Sequence, residues 1–395
     1  MKIPKSFFIK ASMYLVLLRS PIILLTISAY VFSDRKVFVS FVYKLLPFIV
    51  FMLLSVIYST AMGNEIGNIL GQTRDIFLAI IVAALLITAC KFKDNANICY
   101  QTIKKCFVII SLAKLMILAY ALISGAGVVS LVKQISDAWG IEMMTMGVDN
   151  SFLGRIQIPM DSATPFFLYF YTKELLNKEK FFSWASIAYF MLLISMLLTF
   201  SRLMWGQTAI FIMLAVYIES STSRILKLTL VGSILSALVL FFTPIGDAVL
   251  SIVEARVSGQ EINDSSDMER MLQNRMLLNE VYNHPIIGHG LGYYIPNLTR
   301  SSSMRYLYET QSLSMVMTMG VLGALIFLML IFWLVLPREK NISKFIGPLF
   351  FLFFWVICGS FNPFLFGASG GVILYLSSQF NSIRCLVSNK LTYNR

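Results

Sequence analysis

The sequence predicts an all-α fold, a polytopic bundle of about eleven or twelve transmembrane helices with one large, partly helical outer loop. Of the 395 residues, 57% are apolar and only 13% are charged. The mean hydropathy of +0.76 is far above that of soluble globular chains. Apolar runs approaching or exceeding the roughly 17–25 residues that cross a bilayer recur along the chain. The candidate spans are residues 12–32, 37–59, 75–90, 103–128, 156–172, 181–200, 204–219, 228–243, 311–336, 345–360 and 364–382.

The charge distribution predicts which connections face the cytoplasm. Lysine and arginine exceed the acidic residues by 32 to 20, but they cluster in short connections between spans, which indicates membrane topology and argues against a nucleic-acid surface. Examples are Lys91 and Lys93, Arg338 and Lys340, and Arg384 near the end of the chain. The alternate connections then face the other side, which in a bacterium is the periplasm. These are residues 129–155, 201–203, 244–310 and 361–363.

The chain is expected to form a single integral membrane domain over residues 1–395, with outer loops at 129–155 and 244–310. The N-terminal segment is expected to be retained, because charges interrupt its apolar stretch and no clear cleavage site follows. An odd number of spans would place Lys2, Lys5 and Lys10 outside, against the positive-inside bias. None of the five cysteines falls in the two long outer loops, so no disulfide framework is expected there.

The second outer loop carries a predicted amphipathic helix. Residues 266–269, Ser-Asp-Met-Glu, match the capping-box pattern of a helix start, and the helix should run to about Tyr282. Its apolar stripe would lie on the membrane domain, and a polar side would carry Arg270 and Gln273 with Asn274. The members of the apolar stripe are Met268, Met271, Leu272, Leu278 and Val281.

After this helix the segment from His284 to Gly292 is the strongest candidate for chemistry. Pro285 ends the helix, and Gly288, Gly290 and Gly292 permit positive φ and close approach of the backbone to a ligand. No strand precedes the glycines, so a dinucleotide fold is not indicated. The histidine spacing does not match a metal motif. His284 is expected to satisfy the helix C-terminus, whereas His289 fits a structural hydrogen bond and a site role equally well.

Charged groups on the same predicted face indicate an anion site. Arg155, Arg202, Arg270 and Arg275 go against the positive-inside bias, and guanidinium groups match phosphate oxygens bidentately, so a diphosphate is the expected ligand. A lone arginine of this kind would more simply reach toward lipid headgroups. Glu309, just before the next span, is either an interface anchor or a catalytic base. Asp161 lies just inside an apolar run and either pairs with Arg155 or binds an acceptor.

The chain resembles the bacterial O-antigen polymerase and O-antigen ligase group of membrane glycosyltransferases. The resemblance covers most of the C-terminal half and rests on the order and spacing of five short motifs. Ligases of the group carry a histidine at the junction where this chain has Glu309, so the Tyr-Glu junction and the late Asn-Pro-x-Leu resemble the Wzy-type polymerases more closely. The motifs are residues 199–202 (TFSR), 270–273 (RMLQ), 284–292 (HPIIGHGLG), 308–309 (YE) with 320–323 (GVLG), and 362–365 (NPFL).

The resemblance implies metal-independent glycosyl transfer, without a cofactor, at the periplasmic face of the inner membrane. The donor would be a growing glycan on undecaprenyl diphosphate, and the acceptor would be a hydroxyl of a new lipid-linked repeat unit. A flippase, a chain-length regulator and membrane lipid are the implied partners. Arg202 and Arg270 would stabilise the leaving diphosphate, and Arg155 and Arg275 are the second candidates for this role. Glu309, or else His289, would be the base, and backbone amides of the loop glycines would approach the donor.

Three other functions remain open at this stage. A ligase would use the same donor and pass finished polymer to the lipid A core. A lipid-linked sugar transporter is a different class, but such proteins often show internal repeats, and none is visible here. A noncatalytic scaffold gives no reason for arginines to accumulate on the outer face.

Overall fold

The computed structural model describes residues 5–17, 23–90, 95–139, 143–145, 154–177, 183–219, 260–298, 304–337 and 341–388. Within these ranges the regular structure is helical, with no strand. The 14 α-helices are α1 Lys5–Leu17, α2 Ile23–Phe32, α3 Arg35–Ala61, α4 Ile66–Cys90, α5 Asn95–Ser124, α6 Val128–Trp139, α7 Thr164–Leu176, α8 Trp184–Leu197, α9 Arg202–Glu219, α10 Gln260–Asn283, α11 Gln311–Val335, α12 Ser343–Phe361, α13 Gly367–Ser378 and α14 Phe380–Ser388. Two 3₁₀ turns lie at Pro159–Ala163 and Pro296–Leu298.

Five of the described helices are long and apolar enough to cross a membrane: α3, α4, α5, α11 and α12. Two shorter apolar helices cover Trp184–Leu197 and Arg202–Ile218. The predicted all-α polytopic bundle is confirmed by this architecture.

Several predicted spans differ from the helices observed. The run 12–32 contains two helices, α1 and α2, and the run 156–172 opens with the 3₁₀ turn Pro159–Ala163 before the 13-residue α7. Residues 18–22, between α1 and α2, lie outside the described residues. The prediction of one continuous helix is wrong for the run 156–172, because hydropathy records how apolar a stretch is and not where its backbone turns. The run 228–243 lies outside the described residues.

The chain divides into two compact units. The first contains Met1–Phe107, Pro159–Phe167 and Gln273–Lys390, and its largest helix pair is α4 with α13. Small residues let these two backbones approach closely. A Cβ added at Gly371 would lie 2.6 Å from the Ala79 carbonyl oxygen, so only glycine fits there.

The second unit contains Val108–Ile158 and Leu168–Leu272 together with the last five residues. Part of the predicted outer loop 129–155 forms the helix α6. This helix is stabilised by Val128 and Val132, which pack against Ala121 near the end of α5. An antiparallel bridge joins Met144 to Gln157, and the Ile156 N–H donates to the Leu198 carbonyl at 2.9 Å. The small apolar core of this region consists of Ala121, Val128, Val132 and Ile156.

Helix α10 exists as predicted, but it begins at Gln260, six residues before the expected capping box. The face that it buries also differs from the predicted one. Met268, Met271, Leu272 and Leu278 are 44–59% exposed, whereas Leu277 is fully buried and Gln273 is 8% exposed. Val281 of the predicted stripe packs against the same core as Leu277. The other four members were wrongly assigned, because the packed face combines Leu277 with polar residues that have hydrogen-bond partners, and apolar periodicity does not detect such a face.

Candidate active site

The helix α11 is interrupted at Gly320, and this break organises the candidate site. Gly320 has φ 67° and ψ 175°, outside helical geometry, so the carbonyls before it and the amides after it lack their usual partners. We call residues 284–292 the glycine loop. Its His289 N–H donates to the Met317 carbonyl at 3.0 Å, and its Gly290 N–H donates to the Thr318 carbonyl at 2.8 Å.

The same loop supplies acceptors to the other side of the break. The Val321 N–H donates to the Pro285 carbonyl at 2.9 Å, and the Leu322 N–H donates to the Ile286 carbonyl at 3.1 Å. The loop backbone thus replaces the missing helical hydrogen bonds on both sides of Gly320. Because an unpaired backbone group is costly away from water, the break and the loop stabilise each other.

The opposite side of the glycine loop rests on the turn between α3 and α4. Successive backbone groups of the loop contact Asn64 of this turn, Tyr58 and Ser59 at the end of α3, and Gln72 of α4. The hydrogen bonds are Tyr58 Oη to Gly288 O at 2.9 Å, Asn64 Nδ2 to His289 O at 2.9 Å and to Leu291 O at 3.0 Å, Leu291 N to Ser59 Oγ at 2.6 Å, and Gly292 N to Gln72 Oε1 at 2.6 Å.

These bonds change the role assigned to the loop glycines. The five amides from Gly288 to Gly292 all donate to atoms of the protein, whereas the sequence analysis directed them toward the donor. The glycines instead permit close contact between the loop and the helices. Their φ values are 77°, 87° and 76°, and an added Cβ would lie 2.4 Å from Gly320 N at Gly288, 2.9 Å from Ser59 Cα at Gly290, and 2.4 Å from Ile69 N at Gly292.

His289 joins this loop to the C-terminal end of α10. Its Nε2 lies 3.0 Å from the Glu280 carbonyl oxygen and 3.1 Å from Glu280 Oε2, and its ring stacks on Tyr293 at 4.1 Å. Burial lowers the pKa of His289, and the neighbouring His284 acts in the same direction, while the Glu280 contacts oppose the shift. A neutral ring with the proton on Nε2 donates to Glu280. Of the two roles foreseen for His289, this geometry provides the structural one.

The lowered pKa of His289 predicts that the loop loses stability in acid. The unfolded chain takes up a proton near pH 6.5, before the native imidazole does, so stability is complete above that pH and falls as the pH drops toward the folded pKa. Thermal unfolding of the purified protein between pH 7.5 and 5 should show this decrease, and His289→Gln should flatten that part of the profile. An unchanged slope in the variant would contradict the assignment.

Glu309 is held where α11 begins. Gln273 Oε1 accepts the Glu309 N–H at 2.9 Å and the Thr310 N–H at 3.4 Å, and the Thr310 hydroxyl donates to Asn274 Oδ1 at 2.6 Å. Gln273 is only 8% exposed, and Glu309 is half-buried. From its place on the polar side of the predicted helix, beside Arg270, Gln273 was expected to bind the substrate or its diphosphate, but its side-chain carbonyl oxygen is used to fix the backbone that carries Glu309.

Substitutions at Gln273 separate this positioning role from ligand binding. Gln273→Glu keeps an oxygen acceptor for both amides, so most activity should remain. Gln273→Met has a similar length but no strong acceptor, so it leaves two amides unpaired and should lose at least 10-fold in kcat. Equal loss in both variants would indicate that the side-chain NH₂ contacts the ligand instead.

Tyr308 anchors the residue before Glu309 in a small core. Its ring packs with Leu277, Ile295 and Met317, and its hydroxyl accepts the Ile295 N–H at 2.7 Å. Burial raises the pKa of Tyr308 to about 12, so the hydroxyl stays protonated at neutral pH. The backbone on both sides of Glu309 is therefore fixed, by Tyr308 and by Gln273.

Three polar contacts were missed by the sequence analysis, two of them at Asp75 of α4. The Tyr306 hydroxyl donates to Asp75 Oδ2 at 2.9 Å, and Arg74 pairs with Asp75 at 2.9 Å. Arg305 donates to the Tyr294 hydroxyl at 3.0 Å. An Arg-Asp pair at the start of the apolar run 75–90 was the available signal, since ionisable residues next to such runs usually have a partner.

The remaining predicted residues lie in different parts of the fold. Arg155 donates to Gln157, and exposed Arg202 begins α9, both in the second unit together with Arg270. Arg275 is exposed on α10 in the first unit, and Asp161 is 1% exposed in the 3₁₀ turn of that unit. The convergence of the arginines on one diphosphate stays a prediction. Among the described residues no group of three or more His, Cys, Asp or Glu side chains is placed to hold a metal ion.

The comparison with protein families gives a match over the region that contains α10, the glycine loop and the first part of α11. A family model described as O-antigen ligase matches residues 187–328, more than a third of the chain. Comparisons with curated proteins and with solved structures gave no match. The matched segment supports the O-antigen ligase and polymerase family, and with it a role in polysaccharide assembly. Together with the five apolar helices, it indicates an integral inner-membrane protein.

Proposed function

We propose that this protein is an O-antigen or capsule polymerase that joins lipid-linked oligosaccharide repeat units at the periplasmic face of the inner membrane. The observation that carries the proposal is the fixed position of Glu309, a half-buried carboxylate whose backbone is held by Gln273 at the start of α11. This residue lies inside the segment that matches the O-antigen ligase family.

The proposed reaction is a single displacement at the anomeric carbon of the donor glycan. A hydroxyl oxygen of the acceptor repeat unit forms a bond to that carbon, and Glu309 accepts the hydroxyl proton. The bond between the anomeric carbon and the diphosphate oxygen breaks, and its electron pair leaves with undecaprenyl diphosphate. The product is a glycan longer by one repeat unit on the acceptor lipid.

The developing charge on the diphosphate calls for fixed cations. Arg202 and Arg270 are the proposed ligands, with Arg155 and Arg275 as secondary ones, because guanidinium groups stay charged and match phosphate oxygens in pairs. Asp161 remains a candidate for the acceptor. His289 and the loop glycines are proposed to hold the site together, since their polar groups already have protein partners. A flippase and a chain-length regulator are the proposed partners of the reaction.

A ligase that transfers finished polymer to the lipid A core is the second candidate. The description of the matching family model favours it, since that description is O-antigen ligase. Both enzymes use the same donor, so the arginines would serve either reaction. They differ in the acceptor, and therefore in the products that accumulate when the enzyme is absent.

A gel of surface polysaccharide from a deletion strain tests the proposal. A polymerase deletion should lose the polymer ladder and keep a single repeat unit on the core, whereas a ligase deletion should leave bare core and polymer on undecaprenyl diphosphate. Arg202→Gln and Arg270→Gln should fail to restore the ladder, with Arg384→Gln, on the predicted cytoplasmic side, as the matched charge control. A normal ladder from both outer-face variants would contradict the diphosphate assignment.

A further inference from the structure

The turn Pro285–Ile287 of the glycine loop presents an apolar surface that the proposed reaction does not use. Ile286 is 65% exposed and Ile287 is 55% exposed. On α11, Val321, Leu322 and Leu325 are 47–52% exposed. Because the Leu322 N–H donates to the Ile286 carbonyl at 3.1 Å, the turn lies at the same level as this part of α11.

Helix geometry gives the depth in the membrane at which this part of α11 lies. From Val321 to Val335 the helix is continuous and rises about 21 Å at 1.5 Å per residue. Arg338 follows three residues after Val335, and a charged group belongs at the membrane boundary, so Val335 lies close to it. Since the hydrocarbon layer is about 30 Å thick, Val321 and Leu322 lie inside it, several ångströms below the outer surface.

We infer that the turn Pro285–Ile287 enters the outer leaflet and that Ile286 and Ile287 contact lipid acyl chains. The turn continues the lipid-facing surface of a helix that is long and apolar enough to span the membrane. Its composition suits this location: proline has no N–H to satisfy, and the carbonyls of Pro285 and Ile286 accept from Val321 and Leu322. Irregular backbone is tolerated at this depth when protein groups satisfy it.

This inference changes the predicted topology of the loop 244–310. The turn is a re-entrant segment and not part of an aqueous loop, and it holds the neighbouring His289 near the level where lipid headgroups begin. The inference rests on α11 crossing the membrane and is independent of the proposed reaction.

Spin labelling in proteoliposomes tests the location. Cys385 is the only exposed cysteine of the five, and the other four are buried, so Cys385→Ser provides the background for Ile286→Cys and Ile287→Cys. Leu325→Cys on α11 is the lipid control, and Asn297→Cys, exposed in the outer loop, is the water control. The measured quantity is the ratio of collision rates with oxygen and with a water-soluble nickel complex.

At positions 286 and 287 the oxygen-to-nickel ratio should match that at position 325 and exceed that at position 297 several-fold. A ratio like that at position 297 would show that the turn faces water and would overturn the inference. Low access to both reagents would show that protein covers the turn and would overturn it as well. As a second measurement, Ile287→Lys should reduce the yield of folded protein several-fold, whereas Asn297→Lys should leave it unchanged; an equal yield for the two variants would also contradict the inference.

Discussion

Replacing Glu309 by glutamine is expected to reduce polymer formation by about 10²- to 10⁴-fold, the range measured when a general base is removed. Glutamine has nearly the same shape, and the Glu309 N–H that binds Gln273 is retained. The variant should therefore fold and insert like the wild type and lose only proton acceptance. The ladder on a polysaccharide gel and the single-turnover rate with purified lipid-linked repeat units measure the effect.

A matched control for Glu309→Gln exists on α10. Glu269 is exposed on that helix, and Glu269→Gln removes the same charge without changing the hydrogen bonds between Gln273 and the amides of Glu309 and Thr310. It should keep wild-type polymer length and yield. Near-normal activity of Glu309→Gln would contradict the proposed mechanism. Loss of activity in a His289→Gln variant that still folds normally would then assign the role of base to His289.

The fold class was predictable because it depends on composition, and the helix boundaries were not. Apolar runs identify α3, α11 and α12 with boundary errors of one or two residues, and α4 with a start that is nine residues too late. They fail at α7, where the 3₁₀ turn Pro159–Ala163 precedes a short helix that is buried by its neighbours. Hydropathy cannot distinguish residues that face lipid from residues buried by protein, because both environments select the same side chains.

The polar contacts of the candidate site were also not predictable from the sequence. Sequence analysis selected the glycine loop, but it assigned the glycines and Gln273 to a ligand. The partners of Gly288 and Gln273, which are Gly320 and the amides of Glu309 and Thr310, lie 32 to 37 residues away in the chain. Gly290 and Gly292 lie against Ser59 and Ile69, which are far more distant in the sequence. Such pairings follow from tertiary contacts that no local pattern records, and the interruption of α11 at Gly320 was not visible in its apolar run.

The second large expected effect concerns the packing of the glycine loop against α11. Two glycines of similar backbone conformation, Gly288 and Gly63, allow this packing to be tested separately from the cost of positive φ. Gly288 has φ 77°, and a Cβ there would lie 2.4 Å from Gly320 N and 2.7 Å from the Met317 carbonyl oxygen. Gly63 has φ 80°, and nothing lies within 4 Å of its Cβ position. Alanine at either position incurs the cost of positive φ, about 1–2 kcal/mol, but only Gly288→Ala also pushes the loop away from the α11 break.

Gly288→Ala should therefore destabilise the protein by roughly 1–3 kcal/mol more than Gly63→Ala, the usual cost of forcing extra volume into a packed site. Backbone groups cannot move aside as a flexible side chain can, and separating the loop from α11 breaks the four hydrogen bonds that bridge Gly320. Thermal unfolding in detergent measures the difference, and hydrogen exchange at Val321 and Leu322 should rise only in Gly288→Ala. If the two variants unfold at the same temperature with equal exchange, the loop is not seated on α11 in the way described. Loss of activity in Gly288→Ala with a stable fold would instead indicate that the loop shapes the site through its position alone.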